Sequence, residues 1–369
     1  MQFQRVRLLS IGYTLPSEVI SSSQIEEQLE PLYQRLGLPA GRLELMTGIE
    51  QRRQWPRGTM PSDWSFESGA CALESAGLPA DHVDLLIHGS VCRDNLEPAT
   101  ACRVHQLLGL SADCLVYDVS NACLGLLNGM VQAAALIESG QIRAALVVGT
   151  EDSRYLLETT IKTLNRDSSL TRQDIKLALA SLTIGSASAG LLLAHEDFAP
   201  DASRLLCATA MANSQHHELC QSERDVAVGE QMQPLMQTDS EALMREGIAT
   251  GQQTFERFLA QTGWSASSVD RTICHQVGAA HRAALLEALQ LELDNDFATF
   301  SWLGNTGSVA LPVTLALAAE QQFLETDHQL ALMGIGSGIN CLMLGVRWAE
   351  TAVAGNARVV GGEWSVVSS

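Results

Sequence analysis

Two hydrophobic periods take turns along this chain. Residues 3–12 alternate at period two and predict a strand. Apolar runs at 83–90, 114–119, 144–149 and 187–194 predict four more. Between them the helical period returns. It predicts helices over 21–36, kinked or divided at Pro31, and over 63–76, with Asp63 as cap and Gly77 just past the end. Further helices are predicted over 99–108 and from Cys123 to about residue 139, while 45–53 reads as a loop with a basic end.

The second part of the chain repeats this order. A strand is predicted over 269–277, a helix over 279–289, a turn at 301–308 and an Ala/Leu helix over 309–324. Strands at 329–333 and 339–346 then flank a Gly-Ile-Gly-Ser-Gly loop at 334–338. A helix followed by two strands across a small-residue turn thus occurs twice, headed by Cys123 in the first copy and by Asn305 in the second. The pattern predicts an α/β protein of mixed sheets covered by helices, in two related halves at 1–200 and 201–350. The polar stretch 205–263, helical in its later part, reads as an elaboration between strands, and 351–369 as a mobile end.

Composition narrows the function. No apolar run approaches the roughly 20 residues of a membrane span, and the first residues lack the order of a signal peptide. Nine cysteines at irregular spacing, with no Cys-x-x-Cys pair, point to reduced thiols, a cytoplasmic setting and no structural zinc. A net charge of −19 argues against nucleic-acid binding. It also repels an acidic protein partner, except at a candidate basic patch of Arg42, Arg52 and Arg53. His216, His217 and Cys220 could suggest a metal, but adjacent histidines point to different sides of an element, so no metal site is expected.

The candidate chemistry sits where elements end. Cys123 opens a helix, where the macrodipole favours thiolate over thiol and makes it a candidate nucleophile for acyl transfer; the alternative is a small packed residue. Such chemistry also needs a base or hydrogen-bond donor near the thioester oxygen, and backbone donors for the oxyanion. His275 lies at a strand end, Asn305 in a Gly-Asn-Thr-Gly turn, and the 334–338 loop offers N–H groups with little bulk. Taken singly, these could be a structural histidine, a turn and a hairpin. The glycine loop lies between strands, not before a helix, so it fails the context of a dinucleotide site.

Taken together, Cys123, His275 in His-Gln-Val, Asn305 in Leu-Gly-Asn-Thr-Gly-Ser 30 positions later, and Gly-Ile-Gly-Ser-Gly resemble the ketoacyl synthase III branch of the thiolase superfamily over residues 3–348. The match includes Thr47-Gly48-Ile49 with its trailing arginines. Within that branch, Leu96-Glu97-Pro98-Ala99-Thr100-Ala101, with its glutamate 26 positions before Cys123, resembles the OleA group that begins olefin hydrocarbon biosynthesis.

The resemblance implies a thiolase-like fold of two αβαβα halves with mixed five-stranded sheets, and a homodimer. It implies catalytic Cys123, His275 and Asn305, oxyanion donors in the backbone N–H groups of Cys123 and Ser337, and substrate contacts at Arg52, Arg53 and Gly336. It further implies that Glu97 reaches into the partner subunit's site as the base of a non-decarboxylative Claisen condensation of two fatty acyl-CoA thioesters. Locally, Glu97 could instead be a carboxylate at a helix start before Pro98. Coenzyme A enters only as part of the substrate, with no separate cofactor, and downstream pathway enzymes are expected partners. The alternatives are a decarboxylating 3-oxoacyl-ACP synthase III using malonyl-ACP, an acyl-thioester hydrolase, and a non-catalytic partner subunit.

Overall fold

Ten strands share one mixed sheet in the computed structural model, which describes residues 1–222, 236–360 and 363–366. They are β1 (Val6–Thr14), β2 (Leu85–His88), β3 (Leu115–Asp118), β4 (Ala144–Glu151), β5 (Ala187–His195), β6 (Ser203–Ala212), β7 (Arg271–Cys274), β8 (Gln329–Gly336), β9 (Asn340–Arg347) and β10 (Ala352–Gly355). Across the sheet the order is β7-β8-β9-β6-β1-β5-β4-β2-β3, with β10 parallel to β1. The six main helices are α1 (Pro61–Ala76), α2 (Thr100–Leu108), α3 (Gly125–Glu138), α4 (Ser240–Thr262), α5 (Ala279–Leu289) and α6 (Ala310–Glu320).

Side-chain alternation builds five layers from this sheet. In β4, Ala145 and Val147 join a cluster with Leu126, Leu127 and Met130 of α3 and Leu311 and Leu315 of α6, while Ala144, Leu146 and Val148 face Ala72 of α1 and Ala101 of α2. In β8, Leu330 and Leu332 face that same central cluster, while Ala331 and Met333 pack on Phe255 and Phe258 of α4 and Leu285 of α5. Helices α3 and α6 are therefore enclosed between two sheet regions. This explains why α6 is buried continuously from Ala310 to Ala318 and reads as apolar all round.

The two sheet regions join between β1 and β6 through the pairs Arg7↔Arg204 and Leu8↔Ser203. The layered α/β halves of the sequence expectation are present, with a difference at one edge of the second. The first half contributes β1–β5 and the second β6–β9; opposite β7, where a fifth strand would lie, there is one parallel bridge, Thr272↔Asp296. The reason is local. The Asp296 carboxylate accepts from Cys274 N (3.2 Å), Thr272 Oγ1 (2.9 Å) and Arg282 Nε (2.6 Å), so a side chain takes the edge donor a strand would otherwise use.

Several expectations are corrected. Helix α1 begins at Pro61, where a missing N–H costs nothing, and Asp63 does not cap it but pairs with Arg103 Nη1 at 2.6 Å. The expected 45–53 loop is a helix, Arg42–Thr47, followed by the strand Gln51–Gln54 paired with Glu18–Ser21. Helices Arg154–Arg166 and Arg172–Ala178 fill the stretch between β4 and β5. The supposed mobile end supplies β10 and a second pairing, Ala357–Val360 with Glu363–Val366, and is anchored by Asn356, which exchanges hydrogen bonds with Leu15 N and O at 2.8 and 2.9 Å. The 334–338 loop is mostly strand, since β8 pairs with β9 as far as Gly336↔Asn340. Within the polar elaboration, 223–235 lies outside the described residues, as do 361–362 and 367–369 of the tail.

Candidate active site

Cys123 lies in the sharp connection between β3 and α3. The residue before it, Ala122, has φ +44°, a left-handed conformation that costs a non-glycine residue about 1–3 kcal/mol and marks an over-determined turn. The turn is closed by Leu124 N donating to Asn121 O at 2.9 Å, and by Asn121 Nδ2 donating to Asn128 Oδ1 at 2.7 Å. Burial pushes the thiol up to about 12, with the charges of Glu151 and Cys220 adding to the rise. The expectation of a dipole-stabilised thiolate is thus reversed in the resting site: desolvation outweighs the end of one helix.

The β8–β9 hairpin comes from the other half and passes directly over this turn. A Cβ built on Gly336 would lie 3.5 Å from Cys123 N and 3.7 Å from Cys123 Cβ, so any larger residue would crowd Cys123. Ser337 follows in the hairpin turn. Asn340 Nδ2 reaches both Asn121 Oδ1 and Ser337 O, each at 3.3 Å, and so spans the two turns.

His275 follows β7, and its N–H donates to Met333 O at 3.0 Å, three residues before Gly336 in β8. Its side chain is buried, and desolvation, with His281 adding to it, pushes the imidazole down to about 3. It is therefore neutral at physiological pH, and one ring nitrogen can donate. The neighbouring Gln276 was not singled out from sequence. Its Nε2 donates to Cys274 O (2.7 Å) and its Oε1 accepts from Thr299 N (2.7 Å) and Phe300 N (3.1 Å), joining the His275 segment to the approach to Asn305.

Asn305 is held by its backbone between N–H to Thr183 O at 3.0 Å and C=O from Gly185 N at 2.9 Å. This approach needs glycine at 185, where a Cβ would stand 1.9 Å from Leu303 O. Asn305 Oδ1 accepts from Gly307 N at 3.0 Å, which fixes the amide orientation and directs Nδ2 as a donor.

Glu97 lies exposed on the loop before α2, on the N-terminal side of a cis Glu97–Pro98 bond. The first N–H groups of α2 do not require it: Asp118 accepts from Thr100 N at 2.8 Å and Ala101 N at 2.9 Å.

Arg52 and Arg53 are not a surface patch. Arg52 is fully buried, donating to Ser22 Oγ (3.1 Å) and Leu182 O (3.0 Å), and Arg53 is 4% exposed, donating to Pro16 O (3.0 Å) beside the Trp302 ring. Of the three arginines only Arg42 remains near the surface. It lines a pocket with Arg172, Lys176, Met46, Ile175 and Leu179, on the short helix whose last carbonyl, at Thr47, abuts Gly278 just after His275. Among the described residues no group of three His, Cys, Asp or Glu side chains is disposed to hold a metal; His216 faces Glu246 (3.3 Å) and His217 faces Ser214 O (3.1 Å).

Known proteins share this architecture. Residues 44–177 match the family model described as thiolase, N-terminal domain, and residues 259–348 match that of 3-oxoacyl-[acyl-carrier-protein (ACP)] synthase III C terminal. An acyl-CoA:acyl-CoA alkyltransferase of Shewanella oneidensis is 41% identical over 94% of this chain and all of its own length. The protein of the same description from Xanthomonas campestris pv. campestris is 33% identical, again over 94% of this chain and all of its own. A crystal structure of Xanthomonas campestris OleA superposes with a TM-score of 0.89 at 33% identity, covering 94% of this chain and 98% of that one. Another, in which cysteine is replaced by serine, holds lauric acid and lauroyl-CoA; its TM-score is 0.88 over 94% of this chain and 100% of that one.

Proposed function

Because the chain belongs to the thiolase superfamily and, within it, to the acyl-CoA:acyl-CoA alkyltransferases, we propose that it joins two fatty acyl-CoA thioesters through an acyl-cysteine on Cys123. It is an acyltransferase, and the reaction is a non-decarboxylative Claisen condensation giving a 2-alkyl-3-ketoacyl-CoA. The observation that supports the site assignment is the close approach of Gly336 to Cys123, which suits an oxyanion site built from backbone donors of both halves.

In this reading Cys123 Sγ attacks the first acyl carbonyl and the thiol proton leaves with coenzyme A. The N–H groups of Cys123 and Ser337 hold the oxyanion. Glu97 of the partner subunit then takes an α-proton from the second acyl-CoA. Neutral His275 and Asn305 Nδ2 donate to that thioester's oxygen, which becomes the enolate oxygen. The enolate carbon attacks the acyl-cysteine carbonyl, the C–S bond breaks, and the proton from Glu97 returns to the Cys123 sulfur. A carboxylate base is required because no carboxyl group leaves to generate the enolate. The chemistry calls for no cofactor besides the thioesters.

A homodimer follows from the same reading. Strand β3 is the last in the sheet, Leu115 on it is 53% exposed, and Val91 and Leu96, on the loop that carries Glu97, are 54% and 52% exposed. Such an edge invites pairing with a second copy, which would place each Glu97 loop against its neighbour. The pocket of Arg42, Arg172 and Lys176 offers cations for the phosphates of coenzyme A on an otherwise acidic protein. Nine free cysteines suit a reducing compartment such as the cytoplasm, and no helix among the described residues is long and apolar enough to cross a membrane. Enzymes of olefin formation would take the β-keto product.

The decarboxylating alternative needs a docking face for an acidic carrier protein, and the burial of Arg52 and Arg53 removes two of its three expected cations. The deciding assay gives purified protein lauroyl-CoA and no malonyl donor. Coenzyme A release with a C23 ketone after product breakdown is expected. Free fatty acid alone would point to a hydrolase, a malonyl requirement to the synthase, and neither coenzyme A nor ketone would refute the reading.

A further inference from the structure

Glu151 is a buried carboxylate that the proposed mechanism does not use. It ends β4, with only 7% of its surface exposed. Its Oε1 accepts from Val91 N (3.1 Å), Ser308 N (3.3 Å) and Ser308 Oγ (2.5 Å), and its Oε2 accepts from Cys92 N (3.3 Å). These donors belong to different parts of the chain. Val91 and Cys92 form the root of the loop that carries Glu97, whereas Ser308 opens the helical turn three residues after Asn305. Between Asn305 and Ser308, Gly307 lies so close that a Cβ there would sit 3.1 Å from Glu151 Cγ. Gly307 also donates the hydrogen bond that orients the Asn305 amide.

A carboxylate in so dry a place is costly unless its oxygens are well satisfied, and here they accept four hydrogen bonds. Its charge also disfavours the Cys123 thiolate, so it stands beside the nucleophile without helping to ionise it. Acceleration of acylation is therefore not what keeps this charge here. What it does hold together is the geometry used after acylation.

We propose that Glu151 is a positioning residue for the condensation step, its carboxylate tying the turn that carries Asn305 to the root of the loop that carries Glu97, next to Cys123. The inference rests on the condensation reading. Acylation needs Cys123 and the oxyanion donors, which Glu151 does not touch. Enolate formation needs Asn305 and a Glu97 loop in register, and small misplacements of such groups are expensive in rate.

The test compares wild type, Glu151→Gln and Ser308→Ala with lauroyl-CoA, measuring the burst of coenzyme A release, ketone formation, free fatty acid, and the pH dependence of Cys123 alkylation by iodoacetamide. Glutamine keeps the size but sets N–H against donors. In Glu151→Gln the burst is expected to stay within about threefold of wild type while ketone falls about tenfold or more and fatty acid rises. Removing the charge should also move the alkylation profile to lower pH, and Ser308→Ala, which loosens the same contact but keeps the charge, separates that shift from eased burial of the thiol; Cys92, Asp152 and Cys220, which also surround this site, remain unchanged. Ser308→Ala, which loses one donor and keeps the charge, should lower ketone about threefold with the profile unmoved. The proposal is overturned if burst and ketone fall in parallel in Glu151→Gln, or its profile does not move, or Ser308→Ala condenses like wild type. Absence of ketone from wild type would instead sink the condensation reading itself.

Discussion

Asn340 donates through Nδ2 to Asn121 Oδ1 at 3.3 Å, and the same amide reaches Ser337 O at 3.3 Å. One side chain from β9 thus spans the turn before Cys123 and the turn bearing the second proposed oxyanion donor. Deleting an oxyanion donor outright costs about 10²–10³ in rate; loosening the frame that aims it should cost less. Asn340→Ala is expected to slow acylation of Cys123 about tenfold, with little change in Tm, since Asn340 is only partly buried. Stopped-flow release of coenzyme A measures it. An unchanged burst would remove the amide from the site's working parts.

If Glu97 acts across a dimer, two inactive variants should rescue each other. Cys123→Ala keeps its Glu97, and Glu97→Gln keeps its Cys123. Each homodimer should lack condensation, although Glu97→Gln should still release a burst of coenzyme A. Co-expressed subunits form mixed dimers with one complete site, restoring about a quarter of wild-type ketone formation per protomer. No rescue, with mixed dimers demonstrated by tag pull-down, would place the base within its own subunit or elsewhere.

Acid should destabilise this fold earlier than carboxylate titration would suggest. Burial pushes His88 and His281 down to about 4 and His275 to about 3, against about 6.5 unfolded. Between those values the unfolded chain binds more protons than the native one, so stability is full above about pH 6.5 and is lost as pH falls. Each of these histidines contributes on the order of 1 kcal/mol per pH unit in that window. Glu151, Asp152 and Asp296, whose pKa values burial raises, pull the other way. Melting temperature should therefore fall steadily from pH 7 to pH 5 by several degrees; a flat or rising trend over that range would contradict it.

What could be read from sequence was set by locality. The helix Ala279–Leu289 matches its expected ends, and Cys123, His275 and Asn305 stand where one period gives way to the next, so their places at element ends were legible. Glu151 was not, because it prolongs an apolar strand read as ending at Gly149, and its partner Ser308 is 157 positions away. Arg52 and Arg53 misled because charge reads as exposure, whereas Leu182 O and Pro16 O, which hold them, come from distant elements. The resting state of Cys123 was misjudged for the same reason: the helix dipole is local, but the burial opposing it comes from both halves. The tail lacked periodicity because it is pinned by its pairing with β1 and by Asn356, not by an amphipathic face.

Charge at the pocket beside the Arg42–Thr47 helix should act on substrate capture and not on chemistry. Arg172 is a poor probe, since its guanidinium already donates to Leu36 O and Gly37 O and its loss would disturb packing. Among the described residues Lys176 is engaged only with exposed Glu241 at 3.2 Å, a contact worth little at the surface. Arg42→Glu and Lys176→Glu therefore invert charge with small structural cost. If these cations meet the phosphates of coenzyme A, each variant should raise KM for lauroyl-CoA about tenfold at low salt and leave kcat within about twofold, the mark of lost uniform binding. The effect should shrink at 0.5 M salt, where the Debye length is only a few ångströms. A lauroyl-pantetheine thioester, which has no nucleotide, should not distinguish the variants from wild type. Equal losses with both substrates would mean that the reversals disturb the Thr47–Gly278 contact behind His275, and the pocket would no longer be a phosphate site.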